Sequence, residues 1–475
     1  MQYLDYFKEI SKIPRCSGSE EDISAYLMRF AYEKKLDTTQ DNEFNVIIKK
    51  PASPGYEKAD PIMLQAHMDM VCEKISNSKH DFSKDPIAVY QDENFLRAGE
   101  TSLGADDGIG MAYILAILAD KDIPHPPLEA VFTASEEVGL HGMAMLDISP
   151  LKSERMINLD GEKEGVLLTG CAGGRRLRME LAIASYPVEE DRYAYSISVR
   201  GLRGGHSGTD IDKGRANAIQ LLARVLQELN RSFSIQVSEI TGGSKENAIP
   251  REATAQILIK HEETKIISDK IGRINTTFVQ EYASGDPDIS VHMERIEETP
   301  KRILRSESLE NLLAAILLTP SGVLCRNPDL EGMVDTSCNL GIVKTGESHI
   351  LLSTLIRSNT NSRIREATAK ISLLGTMLNA RVSIGNDYSA WEFNQDSALL
   401  ALCSNVYQTA FGSEPQIATI HGGLECALMA KKRPGIDMIS FGPNLFGVHT
   451  TEEKAEIASI HRTWIFLLNI LKAAK

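Results

Sequence analysis

Residues 62–70 read IMLQAHMDM, residues 128–137 read LEAVFTASEE and residues 155–162 read RMINLDGE. Each is an apolar run of strand length that stops abruptly at histidine or carboxylate side chains. Polar groups at strand ends are where open α/β sheets hold their ligands. Between the first two runs lies GADDGIGMAYILAILAD at 104–120, where a glycine-rich turn opens a helix with apolar positions at Ile109, Ala112, Ile114, Leu115 and Leu118. Strands alternating with helices in this way predict an α/β domain.

Further along the chain the pattern changes. YAYSISVRGL (193–202), ATAQILIKH (253–261) and DISVHMER (288–295) alternate like half-buried antiparallel strands, with helical stretches such as RANAIQLLARVLQELN (215–230) between them. This reads as an inserted α+β domain over 187–391. FNQDSALLALCSNVYQTAFG (393–412), the apolar run IDMISFGP (436–443) and a long final helix from about Thr451 read as a return to the first domain, which then comprises 1–186 and 392–475. A chain of 475 residues exceeds one ordinary hydrophobic core, so two domains are expected.

The net charge of -14 repels phosphate backbones and anionic lipid headgroups, which argues against nucleic-acid and membrane partners. The N-terminal segment has neither the basic nor the apolar region of a secretory signal, and no stretch is long enough to span a bilayer. Seven cysteines, Cys16, Cys72, Cys171, Cys325, Cys338, Cys403 and Cys426, lie far apart without a C-x-x-C pair. They are expected to be reduced, which places the chain in the cytoplasm.

His67 and Asp69 sit two apart at a strand end, so both side chains leave one face, and a carboxylate behind an imidazole fixes the tautomer of a metal-binding histidine. Asp106 and Asp107 lie in the turn before a helix, where one carboxylate can face a metal while the other caps free N–H groups. Glu136 and Glu137, adjacent at a strand end, are expected to face opposite ways, one toward a metal and one toward a bound water. Asp160 closes another strand. His449, in FGVHTTEE (446–453), is expected directly before a helix, with Thr450 and Glu453 spaced as a capping box. Each motif alone has an ordinary reading as a hydrogen bond, a cap or solvated charge. Together, two imidazoles and three carboxylates with no thiolate suit zinc, and also manganese or cobalt.

QAHMDMVCEK (65–74), GADDGIG (104–110), TASEEVGLHG (133–142), NLDGEKEG (158–165), GLRGGHSG (201–208), ENAIPRE (246–252) and HGGLEC (421–426), with IPRCSGSEE at 13–21, resemble the metallopeptidase family of aminoacylases, carboxypeptidase G, peptidase T and the aminoacyl-histidine dipeptidases, and within it the last group. The resemblance implies two zinc ions per subunit. Asp106 would bridge them, with His67 and Asp160 on one metal and Glu137 and His449 on the other. Asp69 would brace the site and Glu136 serve as general base. It also implies a lid domain that mediates homodimerisation, with His206, Asn247, Arg357 and Gly423 binding substrate. Asp107 occupies a position where some relatives carry Asn.

The expected reaction is hydrolysis of dipeptides, of the Xaa-His type such as β-alanyl-histidine and broader. Metals acidify a water, Glu136 takes its proton and passes it to the leaving amine, and His206 steadies the carbonyl oxygen. Two other readings of the same residues are removal of an acyl group from N-acyl amino acids, and a catalytically silent binding protein of the same fold.

Overall fold

The computed structural model describes residues 2–188 and 191–475. The chain divides into two compact units, one of Met1–Cys171, Trp391–Ile420 and Leu424–Lys475, the other of Ala172–Ala390 with His421–Gly423.

The first unit is built on a mixed eight-stranded sheet. At its centre, Ile62–His67 pairs in parallel with Leu128–Thr133 on one side and Arg155–Asn158 on the other, and Asp437–Ser440 continues the parallel run beside Arg155–Asn158. Val46–Lys50 and Asp37–Gln40 extend the sheet with antiparallel pairings. Strand alternation sorts side chains to two cores. Ile62, Leu64 and Ala66 pack with the helices Gln2–Ile10, Glu21–Lys34, Ala105–Ala119, Ala398–Phe411 and Ile457–Ala473. Met63, Val131, Met156 and Met438 pack on the opposite side with residues of His141–Met145 and Glu425–Lys432. Gln65 and His67 share the face of Met63. The four neighbouring parallel strands therefore discharge their C-terminal ends along one edge, the geometry that gathers ligands in α/β sheets.

The second unit carries a nine-stranded antiparallel sheet. Its apolar face, including Leu177, Ile197, Ile257, Leu340 and Ile356, packs with residues of the helices Ala218–Asn230, Thr264–Glu281, Ser306–Leu318 and Asn361–Met377. It begins earlier than the boundary expected at 187. Gly173–Ala182 is an interior strand here, paired with His349–Ser358 and Arg381–Tyr388, and it follows Val166–Cys171 of the first sheet almost without a loop. A continuous extended segment that changes sheets gives no compositional signal.

Three further expectations are corrected. The last helix runs Ile457–Ala473 rather than from Thr451, because residues 454–456 are drawn into a strand against Phe95–Ala98 and Leu445–Phe446. His449 consequently sits in the loop of a hairpin, and no capping box forms there. Cys16 and Cys72 form a disulfide rather than remaining reduced. The bridge-paired Cys16 and Met70 lay the two segments side by side, a proximity that a sequence separation of 56 conceals.

Candidate active site

The edge of the first sheet collects the five metal-ligand candidates. His67 ends its strand fully buried, with Nε2 3.1 Å from Asp106 Oδ1 and 3.5 Å from Asp160 Oδ1. Asp106 Oδ2 turns the other way, 3.2 Å from His449 Nε2, and His449 Nε2 lies 2.9 Å from Glu137 Oε1. One carboxylate thus separates two pairs, His67 with Asp160 and His449 with Glu137. Donor atoms of His67, Asp106 and Glu137 lie within 4.8 Å of one another, close enough to hold a metal ion. Glu137 Oε1 is buried and, despite its closeness to His449, has no hydrogen-bond partner. A buried carboxylate oxygen left without a hydrogen bond among converging nitrogen and oxygen donors fits a shared cation better than a closed set of ion pairs.

The electrostatics agree. Burial alone would depress the His67 imidazole, but the hydrogen bonds it donates to Asp106, Asp160 and Asp69 outweigh it and hold it well above its ordinary value. His449 is raised to about 10, chiefly by Asp106 and Glu137. Burial, then the Asp106 charge, pushes the Asp160 carboxyl well up, and burial with neighbouring carboxylates pushes Glu136 up to about 8. A buried cluster with this excess of acids is a site for cations.

The supporting residues explain why the cluster holds its shape. His67 Nδ1 lies 3.1 Å from the Asp69 carbonyl oxygen and 3.4 Å from its carboxylate Oδ1, so the Nδ1 proton is assigned toward Asp69, which leaves Nε2 as the nitrogen that would meet a cation once its own proton is released. Asp69 is fully buried. Its carboxylate also accepts from the Glu136 N–H at 3.0 Å, the Glu137 N–H at 3.2 Å and the Ser17 hydroxyl at 2.7 Å. The strand before the glutamate pair ends at Thr133, and Glu136 and Glu137 sit in the following turn. Their division of directions is therefore set by this turn and not by strand alternation.

Arg15, fully buried in the IPRCSGSEE stretch, donates to the carbonyls of Met68, Asp69 and Gly104, tying the strand end to the Asp106 turn. Gly104 has φ +68, and a Cβ there would lie 2.5 Å from the Arg15 guanidinium, so this close approach needs glycine. Glu453 accepts from the N–H groups of Leu103, Gly104 and Ala105 at 2.7, 2.9 and 2.8 Å. It caps a helix start remote in sequence instead of its own turn. Asp107 stays at the helix start, accepting from the Gly110 N–H at 3.1 Å.

In the second unit, His206 pairs with Ala248 on a short ladder, which brings it beside Asn247, whose carbonyl accepts from the Ser207 N–H at 2.9 Å. Arg357 Nη2 lies 3.3 Å from His206 Nε2, and its Nη1 donates to the Tyr388 hydroxyl at 3.1 Å. Gly423 belongs to the strap His421–Gly423 grouped with this unit, and a Cβ on Gly208 would meet the His421 carbonyl at 2.5 Å. His421 is buttressed by Ser337 at 2.7 Å. The supporting roles of Arg15, Ser17, Glu453, Tyr388 and His421 had no signal in the sequence beyond the motifs in which several of them lie.

Comparison with known proteins supplies the family. The model of the peptidase dimerisation domain matches residues 197–286, within the second unit. The cytosol non-specific dipeptidase of Escherichia coli (strain K12) is 35% identical over 469 residues, 98% of this chain and 96% of that protein. The crystal structure of aminoacylhistidine dipeptidase from Vibrio alginolyticus superposes with a TM-score of 0.93 at 34% identity, covering 99% of this chain and 96% of that one. An aminopeptidase, PepT, from Bacillus cereus shares the fold with a TM-score of 0.59 at 15% identity, over 100% and 98% of the two chains. Identity of 35% sustained over 98% of its length shows that this chain belongs to the family its motifs resemble, the metallopeptidases that include the cytosol non-specific or aminoacyl-histidine dipeptidases.

Proposed function

We propose that the chain hydrolyses the peptide bond of dipeptides, using two divalent cations held by His67, Asp106, Glu137, Asp160 and His449. The observation that carries the reading is the division of the Asp106 carboxylate, with Oδ1 toward His67 and Oδ2 toward His449. Asp106 would be shared, with His67 and Asp160 holding one cation and Glu137 and His449 the other. The nitrogen and oxygen donors suit zinc and admit manganese or cobalt. When bound, such a pair polarises a carbonyl and lowers the pKa of a water toward about 7.

The chain's own residues supply the rest. Glu136, held through its backbone by Asp69, takes a proton from the attacking water and delivers it to the departing amine. Its carboxyl, raised to about 8 by burial and neighbouring charge, would be drawn down by cations held beside it toward the working pH of a general base. Asp69 keeps the His67 tautomer. His206 is held below its ordinary pKa by burial and then by Arg357, so it is neutral at pH 7. Its Nδ1 accepts from the Gly208 and Thr209 N–H groups at 3.3 Å, which assigns the proton to Nε2. Nε2 and Arg357 Nη2 then form two adjacent donors suited to substrate oxygens, the guanidinium to a terminal carboxylate and His206 to the carbonyl. Asn247 and Gly423 complete this substrate-binding group.

The names of the two similar dipeptidases favour dipeptides, aminoacyl-histidines among them, over N-acyl amino acids, and one of those names supports a cytoplasmic location. Among the described residues no helix is long and apolar enough to cross a membrane. The matched dimerisation domain supports a homodimer. The test is a panel of unblocked dipeptides and N-acyl amino acids offered to the zinc-loaded protein. Cleavage confined to the N-acyl compounds would replace this reading with a deacylase.

A further inference from the structure

A second buried polar layer lies beneath the ligand edge, and the chemistry above does not use it. Gln65 stands two residues before His67, Asn158 two before Asp160, and Thr133 three before Glu136, so each lies on a neighbouring parallel strand just short of the residues it delivers. Gln65 shares the sheet face of His67, as period-two alternation requires. On that face the helix Glu425–Lys432 opens, and its first residue, Glu425, is 0% exposed.

Glu425 Oε2 accepts from Gln65 Nε2 at 2.5 Å and from the Thr133 hydroxyl at 2.7 Å. Gln65 Nε2 also reaches Thr133 Oγ1 at 3.1 Å, and Gln65 Oε1 accepts from Asn158 Nδ2 at 2.6 Å. One carboxylate thus joins the strands that lead to His67 and Glu136 directly, and through Gln65 the strand that leads to Asp160. Glu425 Oε1, by contrast, is buried without a hydrogen-bond partner.

That orphan oxygen decides the question. A neutral glutamine could accept the same two hydrogen bonds, so tethering alone does not call for an acid. What glutamate adds is a second oxygen with no donor and a buried charge, which is unfavourable unless a positive charge offsets it. Burial pushes this carboxyl up to about 7. Arg15, buried in the same unit, spends its hydrogen bonds on the carbonyls of Met68, Asp69 and Gly104. Positive charge comes instead from the ligand tier on the same face of the sheet, where His67 already draws this carboxyl down against its burial.

We infer that Glu425 is a positioning residue of the metal centre, whose carboxylate ties two of the strands that lead into the site directly and the third through Gln65, and whose charge strengthens the hold on cations. This rests on the two-cation reading above. It is tested with the full-length protein by measuring zinc affinity in competition with a chromophoric chelator, alongside the melting temperature of the metal-free form.

Glu425→Gln is expected to bind zinc several-fold more weakly, a smaller effect than the roughly 10- to 100-fold lost when a partner bonded directly to a ligand is removed. Its metal-free form should melt no lower than wild type, because a buried charge has been removed. Unchanged zinc affinity, or a loss of affinity that merely accompanies a lower metal-free melting temperature, would overturn the inference. Should Glu425→Gln fail to fold, Thr133→Val, which removes one tether and keeps the charge, is read the same way. A several-fold weakening supports the inference and unchanged affinity overturns it. A wild-type chain that binds no zinc would remove the two-cation reading itself, whereas equal affinities in wild type and variant would remove only the role of Glu425.

Discussion

Asp69 does three things with one carboxylate: it faces His67 Nδ1, holds the N–H groups of Glu136 and Glu137, and receives Ser17. Such a residue acts through others, whereas Glu136 is assigned to the reacting water itself. Replacing Glu136 with Gln should therefore lower kcat by about 10²- to 10⁴-fold with bound metal unchanged. A wild-type rate from that variant would remove its role as base. The two histidines make a separate prediction. Both are raised, His449 to about 10, so the metal-free protein carries protonated imidazoles at neutral pH, while a metal ligand must be neutral. Binding of zinc at pH 7 should release at least about one proton per chain, seen as a buffer-dependent binding enthalpy, and affinity should fall as pH is lowered. In the metal-free form the sign is opposite. The stabilisation from charged His449 is complete below the unfolded imidazole value of about 6.5 and is lost as pH rises through about 10. A metal-free protein whose stability did not decline through that window would contradict the assignment.

At the level of elements, the site depends on three neighbouring parallel strands ending together and on one helix whose start is capped from afar. The helix Ala105–Ala119 has no side-chain cap of its own at Gly104, and Glu453 supplies acceptors to three N–H groups there. Each buried donor left unsatisfied costs about 1–3 kcal/mol. Glu453→Ala should therefore destabilise the fold by on the order of 3 kcal/mol or more, measurable by denaturant unfolding, and a change below about 0.5 kcal/mol would show that water replaces the cap. The strand ends and this helix were legible in the sequence because apolar runs that stop at His67, Asp160 or the Asp106 turn obey simple periodicities. The cap was not, since Glu453 follows Thr450 at the spacing of a local capping box while its actual partners lie about 350 residues earlier. The Arg15 clamp escaped for the same reason. A buried arginine bonded to backbone carbonyls leaves no pattern, because any residue can supply a carbonyl.

Across the whole molecule, the sequence conveyed an α/β unit interrupted by an α+β insertion, because the two parts differ in their alternation of apolar residues. It placed the first crossing late, since Val166–Cys171 and Gly173–Ala182 form nearly one extended run shared between two sheets. It also missed the Cys16–Cys72 disulfide, which only the folded proximity of residues 15–17 and 68–70 creates. The matched dimerisation domain leads to the expectation that the protein sediments at twice its chain mass, and a monomer at micromolar concentration would contradict the proposed assembly. If two cations sharing Asp106 are required to cut dipeptides, protein stripped of metal should not hydrolyse β-alanyl-histidine, and stepwise addition of zinc should restore the full rate at two equivalents per chain. Hydrolysis at the full rate by the stripped protein, or none with zinc, manganese or cobalt, would rule the two-cation site out.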